Sequence, residues 1–274
     1  MKRLILLVGL LPAFAMANEC KFTAQHDFDI DPASLKTLAF AMGSSDLDVE
    51  GVAGLAKIEV RGKACASDKD KLADLDVDQQ RSGDRVTVTP RQTTRSSGNW
   101  FGSNYAYIDL HVRVPRGLAI DVRGGSGDAQ IRDVATLNFE SGSGDLNVQK
   151  IAGLLTLEVR SGDVQGSEIG TANVRSVSSG DISLREVFGD VHVGRCGSGD
   201  LQFNRIGGNV NIGSVGSGDV SATEVVHDVS VDSIGSGDVS VSGIGGNFTV
   251  RAKGSGDVNH HEVSGKVSVP RDND

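Results

Sequence analysis

The phrase Gly125-Ser126-Gly127-Asp128 decides the fold, because it recurs at nearly constant spacing through the second half of the chain. Identical copies stand at 142–145, 197–200, 216–219, 235–238 and 254–257, and two variants stand at 160–163 and 178–181. The eight aspartates that end the copies are Asp128, Asp145, Asp163, Asp181, Asp200, Asp219, Asp238 and Asp257. They are 17 to 19 residues apart. A fixed period of this length indicates stacked supersecondary units.

Apolar residues recur at fixed distances after each aspartate. After Asp200 they are Leu201, Phe203, Ile206, Val210, Ile212 and Val215. Steps of two residues are typical of strands with one buried face, and the odd steps between them indicate bends that keep the inward phase. We therefore predict an all-β parallel β-solenoid, β-helix-like, with about 19 residues per coil. Propeller blades are excluded because they need about 40 residues each.

The phrase itself is predicted to form a corner turn, with its glycines at positive φ. Stacked coils then place the eight aspartates in a column, where neighbouring charges ~4.8 Å apart repel by about 3 kcal/mol at an effective dielectric of about 20. Hydrogen bonds from Ser hydroxyl and backbone N–H groups offset this repulsion in one interpretation, and bound cations in the other. We predict the first: a structural turn column with no metal and no cofactor. Calcium in the column is the alternative.

Residues 18–107 repeat less regularly than the rest. We expect Leu35, Leu38 and Phe40 to cover the open end of the stack, because unpaired strand edges invite aggregation. A degenerate coil begins at Gly43, and 66–75 reads as an insertion with a short helix. Residues 75–88, which contain Arg81-Ser82-Gly83-Asp84, are predicted to form a further coil.

The predicted division of the chain follows from these features. It comprises a signal peptide (1–17), an N-terminal cap with degenerate coils and an aromatic loop at 91–107 (18–107), the regular Ser-Gly-Asp solenoid continuous with those coils (108–270), and a tail (271–274).

The loop at 91–107 contains an unusual share of the aromatic residues. It holds Trp100, the single tryptophan, together with Phe101, and Tyr105 and Tyr107 are the only two tyrosines. In one interpretation these side chains pack on the flank of the stack. In the other they form a recognition loop, because exposed aromatics mark binding surfaces. Any binding activity is expected here, at the break in the repeat.

The first residues predict export. Lys2 and Arg3 precede the apolar run 4–15, and Ala15-Met16-Ala17 supplies a small-x-small cleavage site. We predict cleavage after Ala17 and a periplasmic, cell-surface or secreted protein. The apolar run is too short to span a bilayer, so no membrane span is expected.

The three cysteines are expected to have two different roles. Cys20 and Cys65 both lie in the N-terminal part, and in an exported chain we predict a disulfide between them. Cys196 takes a core position of the repeat and is expected to be a small buried hydrophobe.

The net charge of the chain is −9, and it becomes −11 when Lys2 and Arg3 are removed with the signal peptide. An acidic chain of this kind excludes nucleic acid and anionic membranes as expected partners.

The run 108–117 (Ile-Asp-Leu-His-Val-Arg-Val-Pro-Arg-Gly), followed by Val122 and serial Ser-Gly-Asp coils, resembles a bacterial family of exported β-strand-repeat proteins known as putative adhesins. The resemblance covers about residues 40–270. It implies a β-solenoid and a cell-surface or adhesion role, and it transfers no catalytic residue.

The leading functional hypothesis is a non-enzymatic exported scaffold for adhesion or surface and envelope interactions. Its partner, an envelope or extracellular protein or a glycan, and its oligomeric state stay open. A periplasmic envelope-associated or cation-binding module is the first alternative, and a β-helical polysaccharide-active enzyme is the second. The enzyme is disfavoured because glycan cleavage needs acids or bases clustered in a groove, whereas the histidines are scattered along the chain. They are His26, His111, His192, His227, His260 and His261.

Overall fold

The computed structural model describes residues 20–92 and 105–270. The predicted signal peptide and tail lie outside these ranges. The N-terminal elements are β1 (Phe22–Ile30), β2 (Thr37–Gly43), β3 (Leu47–Val52), β4 (Ile58–Ala66), α1 (Lys69–Ala73), β5 (Leu75–Ser82), β6 (Arg85–Gln92), β7 (Ala106–Pro115) and β8 (Ala119–Gly124). The middle strands are β9 (Ala129–Val134), β10 (Thr136–Ser141), β11 (Leu146–Val159), β12 (Val164–Val177), β13 (Ile182–Val187) and β14 (Val191–Cys196). The last strands are β15 (Leu201–Ile206), β16 (Val210–Val215), β17 (Val220–Val225), β18 (Val229–Ile234), β19 (Val239–Ile244), β20 (Phe248–Lys253), β21 (Val258–Val263) and β22 (Val267–Ser268).

The strands stack in two sheets that face each other across the core. In sheet 1 the parallel order is β7, β3, β9, the first half of β11, the first half of β12, β13, β15, β17, β19 and β21. In sheet 2 it is β6, β2, β8, β10, the second halves of β11 and β12, β14, β16, β18, β20 and β22. The protein is the predicted parallel β-solenoid, with about 8 turns of about 19 residues.

Two corners connect the sheets in every coil. The Asp corner, formed by the Ser-Gly-Asp phrases, leads from sheet 2 into sheet 1. The second corner leads back from sheet 1 into sheet 2, for example between Val187 and Val191. Inward residues of both sheets form one continuous core, in which Phe40, Phe139, Phe203 and Phe248 are completely buried.

From Asp133 onward, each coil bends just before the second corner at a residue in the left-handed conformation. These residues are Asp133, Lys150, Glu168, Glu186, Arg205, Glu224 and Glu262, with φ between 51° and 59°. Gly243 takes the same place with φ of 69°. Positive φ is uncommon outside glycine, so the sequence pattern shows the bend only as an odd step between core positions. The bend places a column of charged side chains along the second corner.

The N-terminal end is closed by antiparallel strands. β1 pairs with β4, and β4 pairs with β7, which extends sheet 1 beyond its parallel part. The cap is therefore built from β1 and β4. The expectation that Leu38 and Phe40 lie in the cap is wrong, because β2 is a solenoid strand that lies between β6 and β8.

The prediction of a coil at 75–88 is also wrong. β5 and β6 form an antiparallel hairpin in which Ser82 pairs with Arg85, and Gly83 adopts φ of 61° in the two-residue loop between them. Hairpin loops of this length need a residue at positive φ, and Gly83 provides it. A Ser-Gly-Asp sequence is therefore compatible with a hairpin loop as well as with a solenoid corner. The short helix expected within 66–75 is present as α1.

Candidate functional site

The aspartates at the Asp corner form a hydrogen-bonded ladder along the solenoid. From Asp46 to Asp238, the Oδ1 atom of each accepts a hydrogen bond from the backbone N–H of the equivalent aspartate in the next coil. The N···O distances from Asp128 onward are 2.8–3.0 Å. The carboxylates therefore accept hydrogen bonds from backbone N–H groups, as one of the two interpretations predicted. That the column binds no cation stays a prediction.

Two further aspartates, Asp46 and Asp109, precede the eight aspartates of the predicted column in the ladder. Asp46 accepts from Asp128, and Asp109 accepts from the N–H of Asp46 at 3.4 Å. Burial, with the nearby charge of Asp46 adding to it, raises the pKa of Asp109 above its usual range, although the hydrogen bond opposes the shift. Asp109 was missed because Tyr107 and Ile108 precede it instead of Ser and Gly.

The glycine directly before each of the eight repeat aspartates is required by close stacking. A Cβ atom at Gly144, Gly180, Gly199 or Gly218 would lie 1.9 Å from the carbonyl oxygen of the equivalent glycine in the preceding coil. None of these four has positive φ, so the prediction that the glycines provide a left-handed turn is wrong. Their function is to let successive corners approach each other closely.

A second ladder, which the sequence reasoning missed, runs along the second corner. Asp190, Asn209, Asp228 and Asn247 alternate there. Each accepts through Oδ1 from the backbone N–H one coil on, at 2.6–3.2 Å. The hydrogen bonds from the N–H and the side-chain amide of Asn209 lower the pKa of Asp190. The 19-residue spacing of these residues was visible in the sequence, and their alternation halves the charge of the column.

The Asp ladder makes a testable prediction about Asp200. Asp200→Ala leaves the N–H of Asp219 without its acceptor, whereas Asp200→Asn keeps an oxygen in that place and removes one charge from the column. We expect the alanine variant to be about 1 kcal/mol less stable than the asparagine variant in urea denaturation. The asparagine variant should be at least as stable as the wild type. Equal destabilisation by both substitutions would contradict the ladder.

The base of the aromatic loop is fixed by a disulfide and by two tyrosines. Cys20 and Cys65 form the predicted disulfide. The Tyr105 hydroxyl accepts a hydrogen bond from the N–H of Lys21 at 3.1 Å, and the Tyr107 hydroxyl lies 3.8 Å from Cys20 Sγ. The two tyrosine rings are 6.2 Å apart and half-buried.

The described strands on either side of residues 93–104 belong to different sheets, since β6 lies in sheet 2 and β7 in sheet 1. β6 ends at Gln92, opposite Leu75, and β7 begins at Ala106, opposite Ala66. Residues 93–104, including Trp100 and Phe101, lie outside the described residues. The structure therefore assigns Tyr105 and Tyr107 an anchoring contact, and the predicted role of all four aromatics in binding stays a prediction.

Cys196 occupies the core position expected for it. Its side chain is buried, and its Sγ lies 2.9 Å from the carbonyl oxygen of Gly199, to which it donates. Burial raises the pKa of the thiol. A buried thiol with a raised pKa is a weak nucleophile.

The second corner also carries a cluster of exposed apolar side chains, named here the apolar edge. It consists of Ala152, Leu154, Phe188 and Val226. Among the described residues, Phe188 (70% exposed), Val226 (58%) and Leu154 (42%) are the large hydrophobics that are exposed. Beside them lies a cavity of about 270 Å³, lined by Arg116, Asp133, Lys150, Glu168 and Phe188 among others. The sequence reasoning missed this edge, although apolar residues at positions otherwise held by small residues were a signal for it.

Two further observations concern the described residues alone. No helix within 20–92 and 105–270 is long and apolar enough to cross a membrane. In the same ranges no three His, Cys, Asp or Glu side chains form a group able to hold a metal ion.

The comparisons with known proteins agree with this architecture. Residues 56–223 match the family model "Toastrack DUF4097", which covers more than half of the chain. The chain therefore belongs to the Toastrack DUF4097 family. Residues 192–268 also match the model described as "Putative auto-transporter adhesin, head GIN domain". The search of curated proteins gave no match.

Several solved structures are similar to the chain over most of its length. A protein described as a "putative lipid binding protein" from Parabacteroides distasonis ATCC 8503 is 17% identical, with 91% of this chain and 97% of that chain covered and a TM-score of 0.50. A "putative adhesin" from Bacteroides fragilis NCTC 9343 is 12% identical, with 91% and 98% covered and a TM-score of 0.42. The first shows a shared fold.

Proposed function

We propose that this protein is an exported, non-enzymatic, adhesin-like scaffold that binds an envelope or extracellular partner without a cofactor. Its regular part is a rigid stack in which the repeated acidic residues accept backbone hydrogen bonds. The match of residues 192–268 to an adhesin head domain supports the class of function. The predicted signal peptide supports export.

The base of the aromatic loop is the observation that carries the proposal. A tyrosine–backbone hydrogen bond and a tyrosine–sulfur contact to the disulfide-bonded Cys20 hold the C-terminal end of the loop, and the pairing of Gln92 with Leu75 holds its N-terminal end. A binding loop gains affinity when its ends are fixed, because less conformational entropy is lost on binding. The single tryptophan, Trp100, lies between these fixed ends in the sequence.

The test measures binding of the labelled mature protein to the envelope fraction of the producing organism and to isolated surface glycans. Trp100→Ala/Phe101→Ala is expected to weaken binding about tenfold or more, because buried aromatic anchors dominate binding free energies. The matched control is Gln202→Ala/Ser240→Ala, which truncates two exposed polar residues on the outer face of sheet 1. Equal binding by both double variants would disprove the location of the site. No binding by the wild type would disprove the adhesin-like function.

A further inference from the structure

Three members of the apolar edge, Ala152, Phe188 and Val226, have a regular arrangement along the solenoid axis. Strand registers align Val187 with Ile206 and Ile151 with Ile169, which places Phe188 two coils from Ala152 and two coils from Val226. With strands stacked at ~4.8 Å, both separations are about 10 Å. Gly170 and Gly207 take the same place in the coils directly before and after Phe188, so the exposed ring stands between two positions without side chains.

This spacing is symmetric about Phe188, and symmetric surfaces fit a second copy of themselves. A two-fold axis at Phe188, perpendicular to the solenoid axis, brings two antiparallel solenoids together edge to edge. It brings the Phe188 rings of the two copies together, flanked by the glycine positions of both copies. The same axis places Val226 of one copy on Ala152 of the other. Interfaces of this isologous kind are the commonest in homo-oligomers.

The charged column beside the apolar edge is complementary under the same operation. Lys150, Glu168, Arg205 and Glu224 stand in successive coils on both sides of Glu186, and all have φ between 55° and 58°. The two-fold axis pairs Lys150 with Glu224 of the second copy, and Glu168 with Arg205 of the second copy. Both pairs have opposite charge, and such complementarity fixes register.

Two residues close to the axis face their own equivalents. Glu186 meets Glu186 of the second copy, but each already forms an ion pair with Arg205 at 2.6 Å. Asp190 accepts hydrogen bonds from Asn209, which lower its pKa and hold its charge. Arg205 is thus placed between Glu186 of its own chain and Glu168 of the other.

We propose that the apolar edge is a homodimer interface, in which two copies of this chain associate antiparallel through Phe188, Ala152, Val226 and the Lys150–Glu224 pairs. The edge spans five coils, on the order of 20 Å. A contact of this length falls in the small class of interfaces, so the dimer is reversible. The apolar edge lies at the second corner, whereas Tyr107 lies two residues before Asp109 of the Asp ladder, so the proposed interface does not include Tyr105 or Tyr107.

Charge reversal tests the register of the dimer. Lys150→Glu and Glu224→Lys are each expected to raise the dimer dissociation constant about tenfold, because each places like charges opposite one another. The double variant Lys150→Glu/Glu224→Lys is expected to restore wild-type dimerisation, since both pairs are reversed together. Within one chain the two residues are four coils apart, about 19 Å, so intramolecular pairing cannot cause the rescue. Glutamate already occupies this left-handed position in four coils, so the substitutions are compatible with the backbone.

The measurement is sedimentation velocity of the full mature protein over a range of concentrations. Phe188→Ser is expected to be monomeric where the wild type is dimeric, with an unchanged melting temperature because the side chain is 70% exposed. Gln202→Ala is the control and should dimerise as the wild type does. A wild type that is monomeric at all concentrations, or a dimer that survives Phe188→Ser, would overturn the proposal. So would a charge-reversed double variant that stays as weak as the single variants.

Discussion

Gly218→Ala is expected to lower the free energy of unfolding by about 3 kcal/mol, the upper end of the cost of overpacking a well-packed interior. The added Cβ atom would lie 1.9 Å from the carbonyl oxygen of Gly199 and 2.6 Å from its carbonyl carbon. Both sides of the contact are backbone, so a side-chain rotation cannot relieve it. For a chain of this size we expect the melting temperature to fall by roughly 6–12 °C.

Gly117→Ala is the matched control for this substitution. A Cβ atom at Gly117 meets no atom within 4 Å, and its φ is not positive. It is therefore expected to melt within about 2 °C of the wild type, because surface substitutions away from special features change stability little. Equal effects at the two glycines would show that the loss arises from glycine's general properties and not from the stacking of corners.

Loss of the Cys20–Cys65 disulfide is expected to lower stability by about 2–4 kcal/mol. The bond closes a sequence separation of 45 residues. In the chain-entropy model, closing a loop of this length destabilises the unfolded state by an amount near the upper end of this range, about 4 kcal/mol. The bond also fixes Cys20 beside β1, whose antiparallel pairing with β4 closes the N-terminal end of sheet 1.

The measurement compares thermal unfolding of the wild type, with and without a reductant, with that of Cys20→Ser/Cys65→Ser. Reductant should lower the wild-type melting temperature to that of the double variant and leave the double variant unchanged. Limited proteolysis should then cut first within 22–30, because the cap has lost its covalent attachment. A wild type that melts identically in both conditions would show that the cap is held by strand pairing alone.

The regular half of the fold follows from local sequence. Apolar residues at the first, third and sixth positions after most of the aspartates specify the inward face of sheet 1, and the structure buries Leu201, Phe203 and Ile206 as predicted. The predicted Cys20–Cys65 disulfide is confirmed. It could be predicted because both cysteines lie in the N-terminal part, whereas the third cysteine, Cys196, occupies a core position of the repeat.

The N-terminal half was predicted less well because its order depends on long-range pairing. β2 and β3 lie between strands that follow them in sequence, β6 with β8 and β7 with β9. No local pattern encodes this insertion. Arg81-Ser82-Gly83-Asp84 was misread because a hairpin loop and a solenoid corner favour the same residue types.

The candidate sites show the same limit. The repeat predicted a column of aspartates but not which atoms the carboxylates accept from, since these depend on the register of successive coils. The exposure of Phe188 likewise depends on the second corner, where Val187 is buried in the core and the next residue, Phe188, lies at the surface. The sequence pattern of buried positions does not determine which side chains at the corners of the solenoid are exposed to solvent.

The central claim is that the repeated Ser-Gly-Asp corner builds the solenoid, and that binding occurs where the repeat is interrupted. It is tested most directly by measuring the affinity of three proteins for the same envelope fraction: the wild type, Asp181→Asn/Asp200→Asn/Asp219→Asn, and Trp100→Ala/Phe101→Ala. We predict that the triple variant binds as the wild type does, because asparagine preserves the ladder, while the aromatic variant binds about tenfold more weakly or worse. Loss of binding by the folded triple variant, with binding by the aromatic variant intact, would contradict the account.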